Sequence, residues 1–193
     1  MTEKTSFILR FLLFAMVHSL FASTWVKSIF HGTNSRKYRL YYNAASLVMF
    51  GWVMATCRHS DVLYFIPGVW SLIMHLLQLV VAAILVSCLR QTGVGEFFGF
   101  KSTSGTFTRT GWYSIVRHPL YFFSSLFMVL NPVMTSQWLM LTILSTAYFI
   151  IGGLIEERRL TIEFGEEYRH YRQQVPFFIP NPARLKTYSQ VQH

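Results

Sequence analysis

The sequence predicts an all-α, polytopic transmembrane bundle of about five spans, closed by a short cytoplasmic helix at its C-terminal end. Hydrophobic residues make up 52% of the 193 positions and charged residues only 13%, against about 25% charged in a soluble domain. The apolar residues gather into blocks separated by short polar gaps, and eighteen Phe, ten Tyr and five Trp supply lipid-facing and interfacial surface. The chain reads as a single integral membrane domain over residues 1–193. The net charge of +9 does not indicate nucleic acid, because the basic residues are split among the gaps and form no sustained face.

The first block, Phe11 to Val26, is uncharged and bounded by Arg10 and Lys27. Ala22-Ser23 also suits a signal-peptide cleavage site, but the rest of the chain is equally membranous. A second span is expected near Tyr41 to Cys57. The third runs from Val69 to Leu89, with Pro67-Gly68 turning into it. Residues 90–117 form a Ser/Thr-rich loop punctuated by Gly93, Gly95, Gly99 and Gly105. The fourth block, Pro119 to Asn131-Pro132, is short and fits a tilted segment or a tight hairpin. Pro119 suits a first helical turn, where its missing N–H costs little. The fifth span is expected from Gln137 to Ile155. The charged tail begins as a helix, which Pro176, Pro180 and Pro182 end.

Five spans put the termini on opposite sides. Fourteen Lys and Arg fall in the first loop, the third loop and the tail, against three (Lys4, Arg10 and Arg58) on the other side. The positive-inside rule then places the N-terminus outside and the C-terminus in the cytoplasm. Cys57 and Cys88 fall at opposite membrane faces, about 30 Å apart, too far for a disulfide. No Cys/His metal spacing occurs.

Two polar clusters flank the last hairpin on the predicted cytoplasmic side: Arg117-His118 before Pro119, and Glu156-Glu157 after the fifth span. Charges at such places are costly unless they bind something or reach water. A snorkelling arginine and a solvated helix end are the plain readings. The functional one is a pocket for a small zwitterion. Arg117 and His118 donate to a carboxylate or phosphate, and one glutamate holds an ammonium or a ribose diol. Neighbouring helical residues point about 100° apart, so only one glutamate is expected to face the ligand. Gly93 and Gly95 allow close backbone approach, without continuing into a nucleotide fingerprint. Within the spans, His18, Asn43, His75 and Gln78 are the sparse polar set, read either as an acceptor cavity or as interhelical hydrogen bonds. A histidine pair is also a haem-ligand set. A haem-binding membrane protein and a non-catalytic scaffold are therefore the rival classes.

In order along the chain stand Gly111-Trp112-Tyr113, Val116-Arg117-His118-Pro119-Leu120-Tyr121, Glu156-Glu157-Arg158, and Phe164-Gly165-Glu166-Glu167-Tyr168-Arg169-His170-Tyr171 through Val175-Pro176. This ordered combination resembles the integral membrane methyltransferases typified by isoprenylcysteine carboxyl methyltransferase and the bacterial phospholipid methyltransferases, over about residues 90–182. The first half, with His18-Ser19-Leu20-Phe21 and Tyr38-Arg39-Leu40-Tyr41-Tyr42-Asn43, is more loosely similar to the NnrU-like and methanethiol S-methyltransferase branch. The resemblance implies S-adenosylmethionine bound at the cytoplasmic face of a bacterial inner membrane. Arg117, His118, Pro119 and Glu156 or Glu157 would form its site, Tyr113 or Tyr121 would face the sulfonium, and Gly93 and Gly95 match the family's glycine pair. It also implies an acceptor reaching the site from the lipid: a prenylcysteine carboxylate, a lipid amine or a small thiol.

Overall fold

Five helices of the computed structural model, which describes residues 2–23, 26, 36–56, 60–92 and 107–180, follow the five apolar blocks. They are α1 (Glu3–Ala22), α2 (Arg36–Met54), α3 (Gly68–Thr92), α4 (Pro119–Val129) and α5 (Ser136–Gln174). Two short strands, β1 (Val62–Phe65) and β2 (Val133–Thr135), and one 3-10 turn (Gly111–Ser114) complete the order. α1, α3 and α5 are long and apolar enough to cross a bilayer, while Leu40–Met54 and Pro119–Val129 are shorter apolar helices. The most apolar windows of α1 and α3 are each only 11% buried within the protein. Large side chains such as Leu12, Met16, Trp70 and Leu79 point outward, as expected where lipid, not protein, covers a helix.

The chain divides into two compact units. The first holds α1, α2, both strands and the start of α5. α1 and α2 pair antiparallel. Arg10 lies 4.5 Å over the Trp52 ring, Phe14 meets Phe50 at 5.7 Å, and the Tyr38 hydroxyl donates to the Phe21 carbonyl at 2.6 Å. α1 begins well before Phe11, because the Thr2 hydroxyl caps it by accepting from the Thr5 amide and Glu3 suits the positive end of the helix dipole. It ends at Ala22, short of the Val26 expected from composition. At the opposite end of this pair, β1 and β2 join antiparallel, with Val62 opposite Thr135 and Phe65 opposite Val133. The Ser60 hydroxyl accepts from the Gln137 amide (2.9 Å). Gln137 donates to the Met54 carbonyl (2.9 Å), and Lys4 pairs with Asp61 at 3.1 Å.

The second unit holds α3, the 3-10 turn, α4 and the rest of α5. Val81, Cys88 and Phe123 form its buried centre, with Leu85, Trp112 and Leu126 packed around them. Cys88 is a free thiol; Cys57 lies outside the described residues. Trp112 is pinned at both ends, its indole donating to the Ser87 hydroxyl (3.0 Å) and its amide to the Gln91 side chain (3.1 Å). The tail helix expected after Ile155 is a continuation of the fifth span. α5 runs on from Ser136 to Gln174 with one interruption at Gly165 (φ 57°, ψ −126°). That conformation is open essentially to glycine alone. It redirects the last turns, so that Tyr168, Tyr171 and Val175 bury against Phe107, Leu160 and Phe164.

Candidate functional site

The site is built where the chain enters α4. Residues 111–114 make a 3-10 turn, Val116 is fully buried, and the Arg117 amide donates to the Pro176 carbonyl (2.9 Å). His118 stands at the N-cap with Pro119 opening the helix. Opposite lies α5, where Glu156 and Glu157 diverge as helical geometry requires. The Glu157 side chain is only 4% exposed, whereas Glu156 is 38% exposed.

Glu157 is the hub. Its Oε1 lies 2.6 Å from Arg117 Nε and 3.4 Å from His118 Nε2, and its Oε2 lies 3.4 Å from Arg172 Nε. Burial pushes this carboxyl toward neutrality, but His118, Arg117 and Arg172 outweigh it and hold the group below the ordinary carboxylate range. Arg117 also closes the C-terminal end of α5, donating through Nη1 to the carbonyls of Arg172 (2.7 Å) and Val175 (3.0 Å). Only its Nη2 keeps both donors uncommitted among the described residues. Arg117 Nε and His118 Nε2 each lie in ion-pair range of Glu157 Oε1, and all three buried atoms lack a hydrogen-bond partner. The cluster is therefore held by charge and is not fully satisfied.

Glu156 faces a different surface. Its Oε2 accepts from the Tyr121 hydroxyl (3.3 Å) and lies 3.8 Å from His118 Nδ1. Tyr121 is stacked between His118 (5.4 Å, 6°) and Phe149 (5.3 Å, 3°). Phe177 meets His118 edge-on at 5.0 Å and lies 5.7 Å below the Arg117 guanidinium. This approach depends on Gly153, where a Cβ would sit 3.1 Å from the Phe177 ring and 3.4 Å from His118.

Of the residues singled out in the sequence, the structure brings Arg117, His118, Pro119, Tyr121, Glu156 and Glu157 together. Tyr113 is tied to the same region, its carbonyl accepting from the Tyr171 hydroxyl (2.6 Å), and burial raises its phenol pKa. Gly93 and Gly95 lie outside the described residues. The intramembrane polar set divides. His18 joins Tyr42 and Ser46 between α1 and α2. Asn43 is half-buried on α2. His75 bonds Gln78 (3.0 Å), which donates to the Phe127 carbonyl of α4 (3.1 Å). Sequence reading missed Arg172, Phe149, Phe177 and Gly153. Arg172 was one cation among many in a charged tail; Gly152-Gly153 inside an apolar run was the available signal of a close approach.

A family model for phospholipid methyltransferases matches residues 65–167. The chain is 34% identical over 119 residues to methanethiol S-methyltransferase of Pseudomonas deceptionensis, covering 60% of this chain and 43% of that protein. It is 38% identical over 100 residues to methanethiol S-methyltransferase 2 of Bradyrhizobium diazoefficiens (51% and 38%). A Mycobacterium tuberculosis methanethiol S-methyltransferase is 35% identical over 72 residues (37% and 30%). The chain thus spans about two fifths or less of the length of these relatives. No solved structure matches it significantly. The family match covers more than half of the chain and contains Arg117, His118, Tyr121, Glu156 and Glu157, so the chain belongs to the phospholipid methyltransferase family.

Proposed function

We propose that this chain transfers a methyl group from S-adenosylmethionine to a small membrane-permeant thiol at the cytoplasmic face. The observation that carries the reading is the Arg117–His118–Tyr121–Glu156–Glu157 cluster, with both signs of charge, buried orphan polar atoms and a stack of aromatic rings in one place. Its donor set fits a ligand that is at once carboxylate, ammonium, ribose diol and sulfonium. Arg117 Nη2 suits the carboxylate. Glu156, the more open glutamate, suits the ammonium or the ribose diol, and Tyr121 positions it through its hydroxyl. Glu157 neutralises and orients Arg117, which keeps a buried cation in place between ligands.

When bound, S-adenosylmethionine supplies a methyl carbon attached to a positively charged sulfur. The residues of this chain have the tasks of holding that group in line with the acceptor and excluding water. A thiol acceptor gives up its proton and attacks as thiolate. The names of the relatives favour a thiol over a lipid amine or a prenylcysteine carboxylate.

The test is incubation of the purified chain with methyl-labelled S-adenosylmethionine and, in parallel, methanethiol, phosphatidylethanolamine vesicles or a prenylcysteine analogue. Labelled dimethyl sulfide is the expected product. Label in lipid alone would move the acceptor to an amine. No transfer to any of the three, with the cofactor bound, would overturn the reading.

A further inference from the structure

The segment that follows α5 returns to the charged cluster and is tied there by Arg117. Val175 is fully buried, and its amide donates to the Tyr171 carbonyl (3.0 Å). Its carbonyl accepts from Arg117 Nη1 (3.0 Å), and the Pro176 carbonyl accepts from the Arg117 amide (2.9 Å). Phe178 meets Phe122 of α4 edge-on at 5.9 Å. Between these anchors, Phe177 turns its ring onto the two residues that open α4. Its centroid lies 5.0 Å from that of His118 at 65°, an edge-to-face approach. It lies 5.7 Å from the Arg117 guanidinium carbon, within cation–π reach.

Something other than hydrogen bonding must orient His118 and Arg117 toward Glu157. Arg117 Nε, His118 Nε2 and Glu157 Oε1 are buried and lack hydrogen-bond partners. Coulomb attraction holds the three groups close, but it depends on distance and not on ring angle. The angle is left to packing. His118 has two aromatic neighbours for this, Tyr121 stacked at 6° and Phe177 edge-on. The space for Phe177 is set by α5. Phe149, Gly153 and Glu157 recur every four residues and share one helix face. A Cβ at Gly153 would meet the Phe177 ring at 3.1 and 3.3 Å and the His118 ring at 3.4 Å. Glycine is disfavoured inside a helix, and here its missing side chain is what admits the ring.

We infer that Phe177 is a positioning residue of the proposed cofactor site: seated in the gap at Gly153, it fixes the His118 ring and the Arg117 guanidinium so that Arg117 Nη2 is presented to the ligand carboxylate. The inference rests on the S-adenosylmethionine reading above and adds to it a residue that acts through Arg117 and His118. A clamp already held in its binding orientation loses less order when the ligand arrives, and so binds it more tightly.

The experiment is titration calorimetry of the full chain in phosphatidylcholine nanodiscs with S-adenosylmethionine, with a melting temperature for every variant. Phe177→Ala should weaken binding about tenfold or more, the scale of a desolvated cation–π contact together with lost packing. Phe177→Leu keeps apolar bulk without the ring; it should weaken binding several-fold and melt within a few degrees of the parent. Gly153→Ala, which crowds the ring, should weaken binding about as much as Phe177→Ala. In the Phe177→Ala background it should add nothing further, because two changes that act through one ring are not additive. A folded Phe177→Ala that binds like the parent would overturn the inference. So would additive losses in the double variant, which would assign the effect of Gly153→Ala to α5 itself, or variants that lose melting temperature alone. In each of those cases the parent still binds S-adenosylmethionine and the proposed reaction stands. A parent chain that binds none would remove that reaction and this inference together.

Discussion

Glu157 and Glu156 are neighbours with opposite assignments, and the difference comes from one helical step. Glu157 turns toward Arg117, His118 and Arg172; Glu156 stays half-open beside Tyr121. Removing one partner of a buried ion pair costs about 3–5 kcal/mol, because it leaves the other charge uncompensated. Glu157→Gln should therefore lower the melting temperature clearly at pH 7. The pH dependence has a definite sign. A carboxyl whose pKa is depressed on folding contributes stability above its unfolded pKa, about 4.3 for Glu, and loses it as pH falls through the lower folded value. The parent protein should lose melting temperature on the acid side of about pH 4, and Glu157→Gln should flatten that limb. A parallel acid limb in the variant would rule out Glu157 as its source. Glu156→Gln should do the reverse. Stability should be nearly unchanged, while S-adenosylmethionine affinity falls about ten- to a hundredfold, since a charge-assisted hydrogen bond is worth about 1.5–3 kcal/mol. Titration calorimetry on the folded variant reads that directly. The sequence made both glutamates visible but not their division of labour. That division depends on which one faces Arg117 and on Arg172, whose part comes only from the turn at Gly165.

At the scale of elements, the five apolar blocks were legible because a membrane helix must satisfy its backbone internally and present apolar side chains over most of its surface. Their ends were less so. Thr2 extends α1 upstream by capping it, and α5 passes beyond the membrane without a break at Glu156. The β1–β2 pair escaped sequence reading because Val62–Phe65 is short, exposed at every position and paired with a strand far along the chain. It has neither the alternation nor the two-residue turn that marks a hairpin. Two substitutions test the elements. Gly165→Ala meets no steric neighbour, yet its backbone conformation should cost about 1–3 kcal/mol. It should also loosen the packing of Tyr168 and Tyr171, read as faster proteolysis after residue 165. Gln78→Leu removes the bond from α3 to the Phe127 carbonyl. Such interhelical bonds average about 0.6 kcal/mol, so the melting temperature should fall slightly with methyl-transfer kinetics unchanged. A raised acceptor KM with an unchanged melting temperature would instead restore Gln78 to an acceptor path.

At the scale of the whole chain, topology decides which compartment would supply the proposed cofactor. Within the first unit, the start of α1, the end of α2, the β1–β2 pair and the start of α5 are linked by the Lys4–Asp61 pair and by the bonds of Ser60 and Gln137. Those segments contain few cations. From Ser136 to Glu156, α5 rises about 30 Å, the thickness of a hydrocarbon core, and the cations cluster beyond that point. Arg58, Lys4 and Arg10 against fourteen Lys and Arg elsewhere lead, under the positive-inside rule, to the prediction that the Lys4–Asp61 end faces outward. A bacterial reporter fused at the C-terminus should then be active only if it is a cytoplasmic type, and a cysteine placed at Asp61 should react with a membrane-impermeant maleimide in intact cells. Labelling at Glu167→Cys but not at Asp61→Cys would invert the orientation. Arg117, Glu156 and Glu157 would then face a compartment without S-adenosylmethionine, and the proposed reaction would fail with the topology.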